Sequence, residues 1–201
     1  MPGEAWVRRA QVIQRVFLSL HTVTEQTARQ VLTEAGYRFP ADGVEVILAT
    51  KALVSEPGFS WDGYVQQAEQ HYETDFRLDR FLEIRGVSYK TRDLALSELS
   101  DRFVAIDLHV VRVTTRTGLL LHGYGDPRIT TEVRTEAGYM FFHDLMLKLS
   151  RRTGWPETGY SPGEIDRMIW HFGRTVCRAT PACQACPFAE ICLTTQAGGL
   201  A

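Results

Sequence analysis

Apolar residues recur at intervals of three and four along most of the chain, which is the period of an amphipathic helix. The first run predicts an N-terminal helix and consists of Trp6, Ala10, Ile13, Phe17 and Leu20. Further helices are predicted over residues 24–35, 44–54, 61–72, 89–99, 132–149 and 162–176, with turns over 40–43 and 85–88. The pattern therefore indicates an all-α protein.

Two segments add detail to this pattern. Ser161-Pro162-Gly163-Glu164 is a capping box with proline at the first helical position, and it marks the start of the last long helix. The inward face of that helix is predicted to consist of Ile165, Met168, Ile169, Phe172 and Val176. The segment Phe103–Thr117 disagrees, because it is rich in valine and threonine, and propensity alone predicts a strand there.

The composition limits the class of protein. A length of 201 residues allows one large or two small domains, and 44% hydrophobic residues are enough for a core. The formal net charge of −2 gives no global basic field, so any nucleic-acid surface must be a local patch. Because no stretch approaches the roughly 20 apolar residues that span a bilayer, we expect a soluble cytoplasmic protein with reduced thiols and no membrane contact.

All four cysteines lie close together near the C-terminus, in the pattern C-x5-C-x2-C-x5-C: Cys177, Cys183, Cys186 and Cys192. In a reducing compartment such a set predicts a metal site rather than disulfides. Zinc accepts four thiolates, but usually from two C-x2-C pairs. Since this chain has one such pair between two longer loops, the spacing favours a 4Fe–4S cluster, whose irons lie at separate corners. Zinc and free structural thiols are the alternatives.

A tight turn over Ile84–Ser88 joins two predicted helices, and Gly86 permits the reversal. Backbone N–H groups at such a turn, and at the start of the following helix, can bind a phosphate. Lys90 lies in the first turn of that helix, where the positive end of the helix dipole disfavours an ammonium group. A neutral amine is a nucleophile, so Lys90 is a candidate catalytic residue.

Asp107 is a carboxylate between apolar residues, seventeen positions after Lys90. A helix over residues 89–99 would be about 15 Å long, and the return to Asp107 can span up to about 26 Å. Asp107 can therefore reach the end of the helix where Lys90 stands. Taken alone, Lys90 is most simply a solvated surface lysine and Asp107 a helix N-cap. Together with the turn and the cysteines, they form a candidate catalytic pair.

These motifs resemble those of the helix-hairpin-helix DNA glycosylases of the endonuclease III branch, which carry a 4Fe–4S cluster. The family's hairpin, approximately L-P-G-V-G-x-K-T-A, is similar to Ile84–Arg92, and its V-D-T-H is similar to residues 106–109. Its H-G-R and C-x6-C-x2-C-x5-C are similar to residues 172–174 and the four cysteines. The resemblance covers about residues 43–195. The chain departs from the family at Arg85 and Ser88, in a first cysteine loop that is one residue shorter, and in a short span before the hairpin.

The resemblance implies a two-domain all-α fold. Residues 1–22 and 103–201 would form a cluster domain, and residues 23–102 a helical domain with the helix-hairpin-helix at about 78–99. It also implies that a helix begins after Asp107, against the strand propensity of that segment. The implied protein is a monomer that binds double-stranded DNA containing a damaged base or an abasic site, and it is associated with the nucleoid if the source is bacterial.

The implied activity is base-excision repair by a DNA N-glycosylase that is also an abasic-site lyase, acting on oxidised pyrimidines. Lys90 would attack the sugar and Asp107 would stabilise its developing cation. The alternatives are an 8-oxoguanine glycosylase/lyase and a DNA-binding module with weak or lost activity. The expected DNA contacts are Arg85, Gly86, Val87, Ser88, Arg112, Arg174 and Arg178.

Overall fold

A computed structural model describes residues 20–72, 74–75, 77–119 and 135–196, and within these ranges every regular element is helical. The helices are α1 (Glu25–Glu34), α2 (Pro40–Val54), α3 (Trp61–Tyr72), α4 (Tyr89–Ser97), α5 (Leu108–Thr117), α6 (Glu136–Thr153), α7 (Pro162–Thr175) and α8 (Leu193–Gln196), with 3-10 turns at Leu20–Thr22, Arg80–Glu83 and Cys183–Ala185. The predicted all-α class is confirmed for this part of the chain. None of its helices combines the length and the apolar character needed to span a membrane.

Three predictions about helices have different outcomes. Residues 6–19 of the predicted N-terminal helix lie outside the described residues. The predicted turn over 40–43 is wrong, because Pro40 is the first residue of α2, where its missing N–H costs no hydrogen bond. The predicted inward face of α7 is wrong at Met168, which is 47% exposed, whereas Ile165 is buried.

The contacts divide the chain into two compact units, Met1–Ser88 and Tyr89–Ala201. We call them the N-terminal and C-terminal units. The resemblance had placed the boundary at 102/103 and had grouped residues 1–22 with the C-terminal part. In the structure, residues 89–102 group with the C-terminal unit, and Leu20 packs in the core of the N-terminal unit.

The N-terminal unit is built around the antiparallel contact of α1 and α2, which bury one apolar face each. Thr24 caps α1 by accepting a hydrogen bond from the Thr27 N–H. The core consists of Leu20, Val23, Ala28, Leu32, Val44, Ile47 and Val54. Lys51 of α2 is half-buried, and its Nζ donates a hydrogen bond to the Val23 carbonyl over 2.8 Å. This lysine is therefore part of the packing of the unit.

The segment 103–117 of the C-terminal unit combines a buried irregular stretch with a helix. Residues Phe103–Ile106 are buried and belong to no helix or strand. Helix α5 then begins after Asp107, as the resemblance implied and against the propensity of its valines and threonines. Two local signals outweigh propensity here, namely an aspartate N-cap and Gly118, whose φ of 80° ends the helix.

Helices α5, α6 and α7 form the body of the C-terminal unit. At Gly173 the crossing of α7 and α5 is so close that a Cβ would come within 2.9 Å of the Cβ of His109. The start of α7 is fixed by its capping box and by the Gly163 N–H, which donates to the Asp101 carbonyl over 2.9 Å. The N-terminal half of α7 is thereby held against the buried segment that leads to Asp107.

A buried charged group joins α4 to α6. Asp93 is fully buried, and its carboxylate accepts hydrogen bonds from Arg92 Nε over 2.5 Å and from the Tyr139 hydroxyl over 2.6 Å. The same hydroxyl lies 3.3 Å from the carbonyl oxygen of Val104. Burial raises the pKa of Asp93, against the opposing effects of Arg92 and Tyr139. Tyr139 thus links α4 to the buried stretch that precedes Asp107.

Replacement of Tyr139 by phenylalanine should lower the free energy of unfolding by about 1–3 kcal/mol, because it leaves a buried carboxylate without one donor. Urea denaturation measures this loss. Tyr89→Phe is the matched control, since the Tyr89 hydroxyl bonds the exposed Glu136 over 3.2 Å and its loss should cost far less. Equal losses in the two variants would contradict the importance of the buried bond.

Candidate active site and cysteine cluster

The predicted tight turn is present over Ile84–Val87. The Val87 N–H donates to the Ile84 carbonyl over 3.0 Å, and Gly86 has a φ of 92°, which favours glycine. Ser88 needs no such conformation, because every described residue with positive φ is a glycine. Arg85 is exposed and lies 3.6 Å from the carboxylate of Glu45. The turn therefore presents Arg85, Gly86 and Ser88 at the surface of the N-terminal unit.

Lys90 is the second residue of α4, in the first helical turn as predicted, and its side chain is exposed. Its two neighbours in the helix fix its position. The ring of Tyr89 packs against that of Tyr139 with centroids 5.5 Å apart, and Arg92 is held in the buried group with Asp93. The exposed amine thus stands on a helix start whose other side is anchored in the C-terminal unit.

Asp107 is the N-cap of α5. Its Oδ1 accepts hydrogen bonds from the His109 N–H over 2.6 Å and from the Val110 N–H over 3.1 Å. These two bonds hold the half-buried carboxylate in one orientation, and Oδ2 takes part in neither of them. Asp107 is therefore a helix N-cap, as the sequence suggested for this residue taken alone. Capping engages Oδ1 and leaves Oδ2 available for chemistry.

Asp166, on α7, is a third charged group of this region, and sequence reasoning missed it. Its half-buried Oδ2 accepts a hydrogen bond from the Ala105 N–H over 3.4 Å, two residues before Asp107. Burial raises the pKa of Asp166 to about 7; the Ala105 N–H opposes the shift, the charge of Asp107 adds to it, and the charges of Arg167 and Lys90 oppose it. The charges of Asp107 and Lys90 thus both act on Asp166, and we call these three residues the acid–amine cluster.

The sequence offers one weak signal for Asp166. It follows the buried Ile165 in α7 and so lies at the edge of the face that packs inward. Helical spacing alone does not show which segment that face meets. The contact with Ala105 joins residues 61 positions apart, and such a contact depends on the tertiary structure.

The four cysteines are free thiols and line one small cavity of about 20 Å³. Cys177 and Cys192 are buried, and Cys183 and Cys186 are half-buried. Burial raises the pKa of Cys192, but the polar groups of Thr195 and Thr194 outweigh it and lower the pKa overall. Within the described ranges, no three histidine, cysteine or acidic side chains converge as the ligands of a single metal ion.

Two arginines of α5 brace the loop that carries Cys177. Arg112 donates from Nε to the Cys177 carbonyl and from Nη2 to the Gly173 carbonyl, each over 2.8 Å. Arg116, one helical turn later, donates to the carbonyls of Arg178 and Ala179 over 2.5 and 3.0 Å. The four carbonyls belong to the end of α7 and the residues after it, where the negative end of the helix dipole also favours a cation.

This bracing changes the interpretation of Arg112, which was expected to contact DNA. Its guanidinium is half-buried and engaged with two carbonyls and with Nδ1 of His109, at 2.7 Å. The predicted contact residues that keep exposed side chains in the C-terminal unit are Arg174 and Arg178. Arg174 lies over the ring of Trp170, 4.5 Å from its centroid. The spacing of Arg112 and Arg116, four residues apart on one helix face, could have indicated their shared role.

Comparison of the chain with models of known protein families, with curated proteins and with solved structures finds no match. The geometry of the acid–amine cluster and of the cysteines is therefore the basis for any functional conclusion.

Asp166→Asn should stabilise the protein at neutral and alkaline pH but not at acidic pH. The pKa of about 7 in the folded protein exceeds the ordinary 3.8, so the folded protein binds the proton of Asp166 more tightly than the unfolded chain does. Wild type therefore loses stability as the pH rises from about 4 to about 7. At about 1.4 kcal/mol per pH unit, the loss is at most about 4 kcal/mol, and asparagine avoids it.

Urea denaturation from about pH 4 to about pH 8 measures this difference between variant and wild type, which should grow with pH and become constant above about pH 7. Asp101→Asn is the control, since Asp101 is exposed and pairs with Arg167 at the surface. A difference for Asp166→Asn that is the same at both ends of the range would contradict the raised pKa.

Proposed function

We propose that this protein is a DNA N-glycosylase with abasic-site lyase activity, and that it acts on oxidised pyrimidines in double-stranded DNA. Lys90 is the nucleophile, Asp107 the carboxylate that stabilises the developing sugar cation, and a 4Fe–4S cluster on the four cysteines holds the C-terminal loop. The fold is of the helix-hairpin-helix glycosylase kind. The observation that carries the proposal is that the Tyr139 hydroxyl joins Asp93, on the helix that carries Lys90, to the Val104 carbonyl, three residues before Asp107.

The scarcity of lysine supports Lys90 as the nucleophile. The chain has three lysines beside nineteen arginines, so nearly all its cations are guanidinium groups, which cannot form a Schiff base. Lys51 donates its ammonium hydrogen to the Val23 carbonyl inside the N-terminal unit. Lys148 lies on the exposed side of α6. Lys90 is exposed in the first turn of α4, which suits an amine that attacks the C1′ atom of a sugar.

The capping geometry supports the role of Asp107. Two backbone N–H groups fix Oδ1, so the orientation of the carboxylate is set before any substrate binds. A fixed negative charge stabilises a sugar cation at the moment the damaged base departs. The base must first leave the helical stack, at a cost of a few kcal/mol. Loss of the base leaves a Schiff base on Lys90, and β-elimination then cleaves the strand.

The turn over Ile84–Val87 supports binding of a nucleic-acid backbone. It exposes Gly86, where the absence of a side chain allows close approach, and the cation of Arg85. In the C-terminal unit, Arg174 and Arg178 offer two further exposed cations. Since the net charge of the chain is −2, phosphate contacts must depend on such local groups.

The cysteine cavity supports a cluster bound from several sides. Four thiols line one space, and each corner of a 4Fe–4S cube takes its own thiolate ligand. Cys177, Cys183, Cys186 and Cys192 would hold the cube, and Arg112 and Arg116 would keep the first of these in place. When bound, the cluster would supply structural rigidity to the loop between α7 and α8.

Borohydride trapping on a duplex with a single abasic site tests the proposal. Wild type should form a covalent protein–DNA adduct, because reduction fixes the Schiff base between the amine and C1′. Lys90→Ala should abolish the adduct, and Lys148→Ala should leave it unchanged. Gel mobility after denaturation measures the adduct.

Two results would oppose the proposal. An adduct that survives in Lys90→Ala would assign the chemistry to another amine. Duplex binding without any adduct in wild type would identify a non-catalytic DNA-binding module instead. A comparison of duplexes that carry thymine glycol or 8-oxoguanine then identifies the preferred damaged base.

Anaerobically purified protein should contain about four iron atoms per chain and show broad visible absorption. Arg116→Ala should release iron to a chelator faster than wild type, because the carbonyls of Arg178 and Ala179 lose their donor. Arg174→Ala is the matched control, since that arginine is exposed and stacks on Trp170. One zinc per chain and no iron, after iron-replete expression, would overturn the assignment of the cluster.

A further inference from the structure

We propose that a cavity of the N-terminal unit binds an unpaired nucleotide of a DNA strand. The cavity has a volume of about 230 Å³, and three of the side chains that line it are aromatic, namely Phe59, Tyr64 and Phe81. We call it the aromatic cavity. The inference rests on the DNA binding of the proposed function and deepens it, because it adds a nucleotide site in the unit that holds neither Lys90 nor Asp107.

The three rings are held in place by the protein itself. Phe59 and Phe81 pack against the core of the N-terminal unit, and the Tyr64 ring contacts both, with centroid distances of 6.3 and 4.7 Å. The Tyr64 hydroxyl donates to Asp79 Oδ2 over 2.9 Å, and Asp79 Oδ1 accepts a hydrogen bond from the Phe81 N–H over 2.8 Å. Asp79 thereby ties α3 to the 3-10 turn Arg80–Glu83, so the aromatic side of the cavity is formed before a ligand binds.

The cavity combines aromatic faces with polar groups. Its three rings are half-buried, so part of each remains accessible, and a nucleobase of any kind can stack on an aromatic ring. The Gln67 amide and the exposed ion pair of Arg80 and Glu56, 2.8 Å apart, line the same cavity. An amide both donates and accepts hydrogen bonds, as the edge of a base does. This combination suits a base better than a purely apolar ligand.

The charges beside the aromatic cavity indicate that the base provides most of the affinity. A larger cavity of about 540 Å³ adjoins it, since Tyr64, Gln67 and Arg80 line both. Four charged side chains line the larger cavity, two of each sign: Arg77, Arg80, Asp79 and Glu83. This space can take the sugar and phosphate of a nucleotide, but a phosphate alone meets no excess of positive charge there.

The aromatic cavity lies close to the turn that is proposed to bind the DNA backbone. The 3-10 turn that carries Phe81 is capped by Ile84, which is also the first residue of that tight turn. Arg85 follows Phe81 by four residues, so their Cα atoms are at most about 14 Å apart. Because successive nucleotides of a stacked strand rise by about 3.4 Å, a strand held at Arg85 reaches the cavity within about four nucleotides.

The test is the affinity of the full chain for a labelled single-stranded oligothymidylate, measured by fluorescence anisotropy. Tyr64→Ala should weaken binding at least about five-fold, because the base loses a stacking surface. Gln67→Ala should weaken it about two- to ten-fold through lost hydrogen bonds to the base, and its exposed position in α3 tolerates alanine. Gln66→Ala should bind like wild type and is the matched control, since Gln66 is also exposed in α3 and lines neither cavity.

Competition shows which part of the ligand is recognised. An excess of thymidine monophosphate should displace the oligonucleotide from wild type, whereas inorganic phosphate at the same ionic strength should not. Equal displacement by phosphate would overturn the inference, because the base would then contribute nothing. Binding of the mononucleotide without binding of the oligonucleotide would also overturn it, since that result identifies a site for a free nucleotide.

Gln67→Ala is the decisive variant, because Tyr64→Ala also removes the bond to Asp79 and can destabilise the unit. Wild-type affinity in Gln67→Ala would overturn the inference, even where wild type forms the borohydride-trapped adduct and the proposed function stands. A wild type that forms no adduct, but loses oligonucleotide affinity in Gln67→Ala and not in Gln66→Ala, would refute the proposed catalysis and support the nucleotide site.

Discussion

The buried carboxylate of Asp93 is the constraint on which the candidate site depends. Removing an ion from water costs several kcal/mol unless its partners replace the lost hydration. Arg92 and Tyr139 provide that replacement at 2.5 and 2.6 Å, and the Tyr139 hydroxyl lies 3.3 Å from the Val104 carbonyl. A shift of α4 relative to the buried stretch before Asp107 would break this arrangement. The exposed amine of Lys90 and the cap at Asp107 are therefore positioned by groups that perform no chemistry.

The two ends of helix α5 contact different parts of the C-terminal unit. Its N-terminus presents Asp107, whose carboxylate both begins the helix and belongs to the acid–amine cluster. Its C-terminal half carries Arg112 and Arg116, which bind carbonyls at the end of α7 and beyond. A short helix of ten residues thus joins the region of proposed chemistry to the region of the cysteines. The close crossing at Gly173 keeps α5 and α7 in fixed register.

Local signals in the sequence were enough to predict much of the fold. The capping box at Ser161 and the apolar spacing of α1 and α3 depend on neighbours within a few residues, and these elements occur where expected. Strand propensity in segment 103–117 was misleading, because a cap and a buried face outweigh the preference of single side chains. The cysteine motif was plain in the sequence, and the four-residue spacing of Arg112 and Arg116 indicates a shared helix face, but the carbonyls that they bind depend on a helix crossing that is not local. Asp166 escaped notice because its environment is set by Ala105, Asp107 and Lys90, which are distant in the chain.

The small number of amines has a practical consequence for spectroscopy. Reductive methylation with isotope-labelled formaldehyde modifies lysine side chains and the chain terminus, and this protein has three lysines. The Lys51 ammonium is tied to the Val23 carbonyl, and Lys148 lies on a solvated helix face, so the environments of the three dimethylamines differ. Each should give its own resonance, and a single mutant assigns each one. The ionisation of the Lys90 amine can therefore be followed directly in solution through its own dimethylamine resonance.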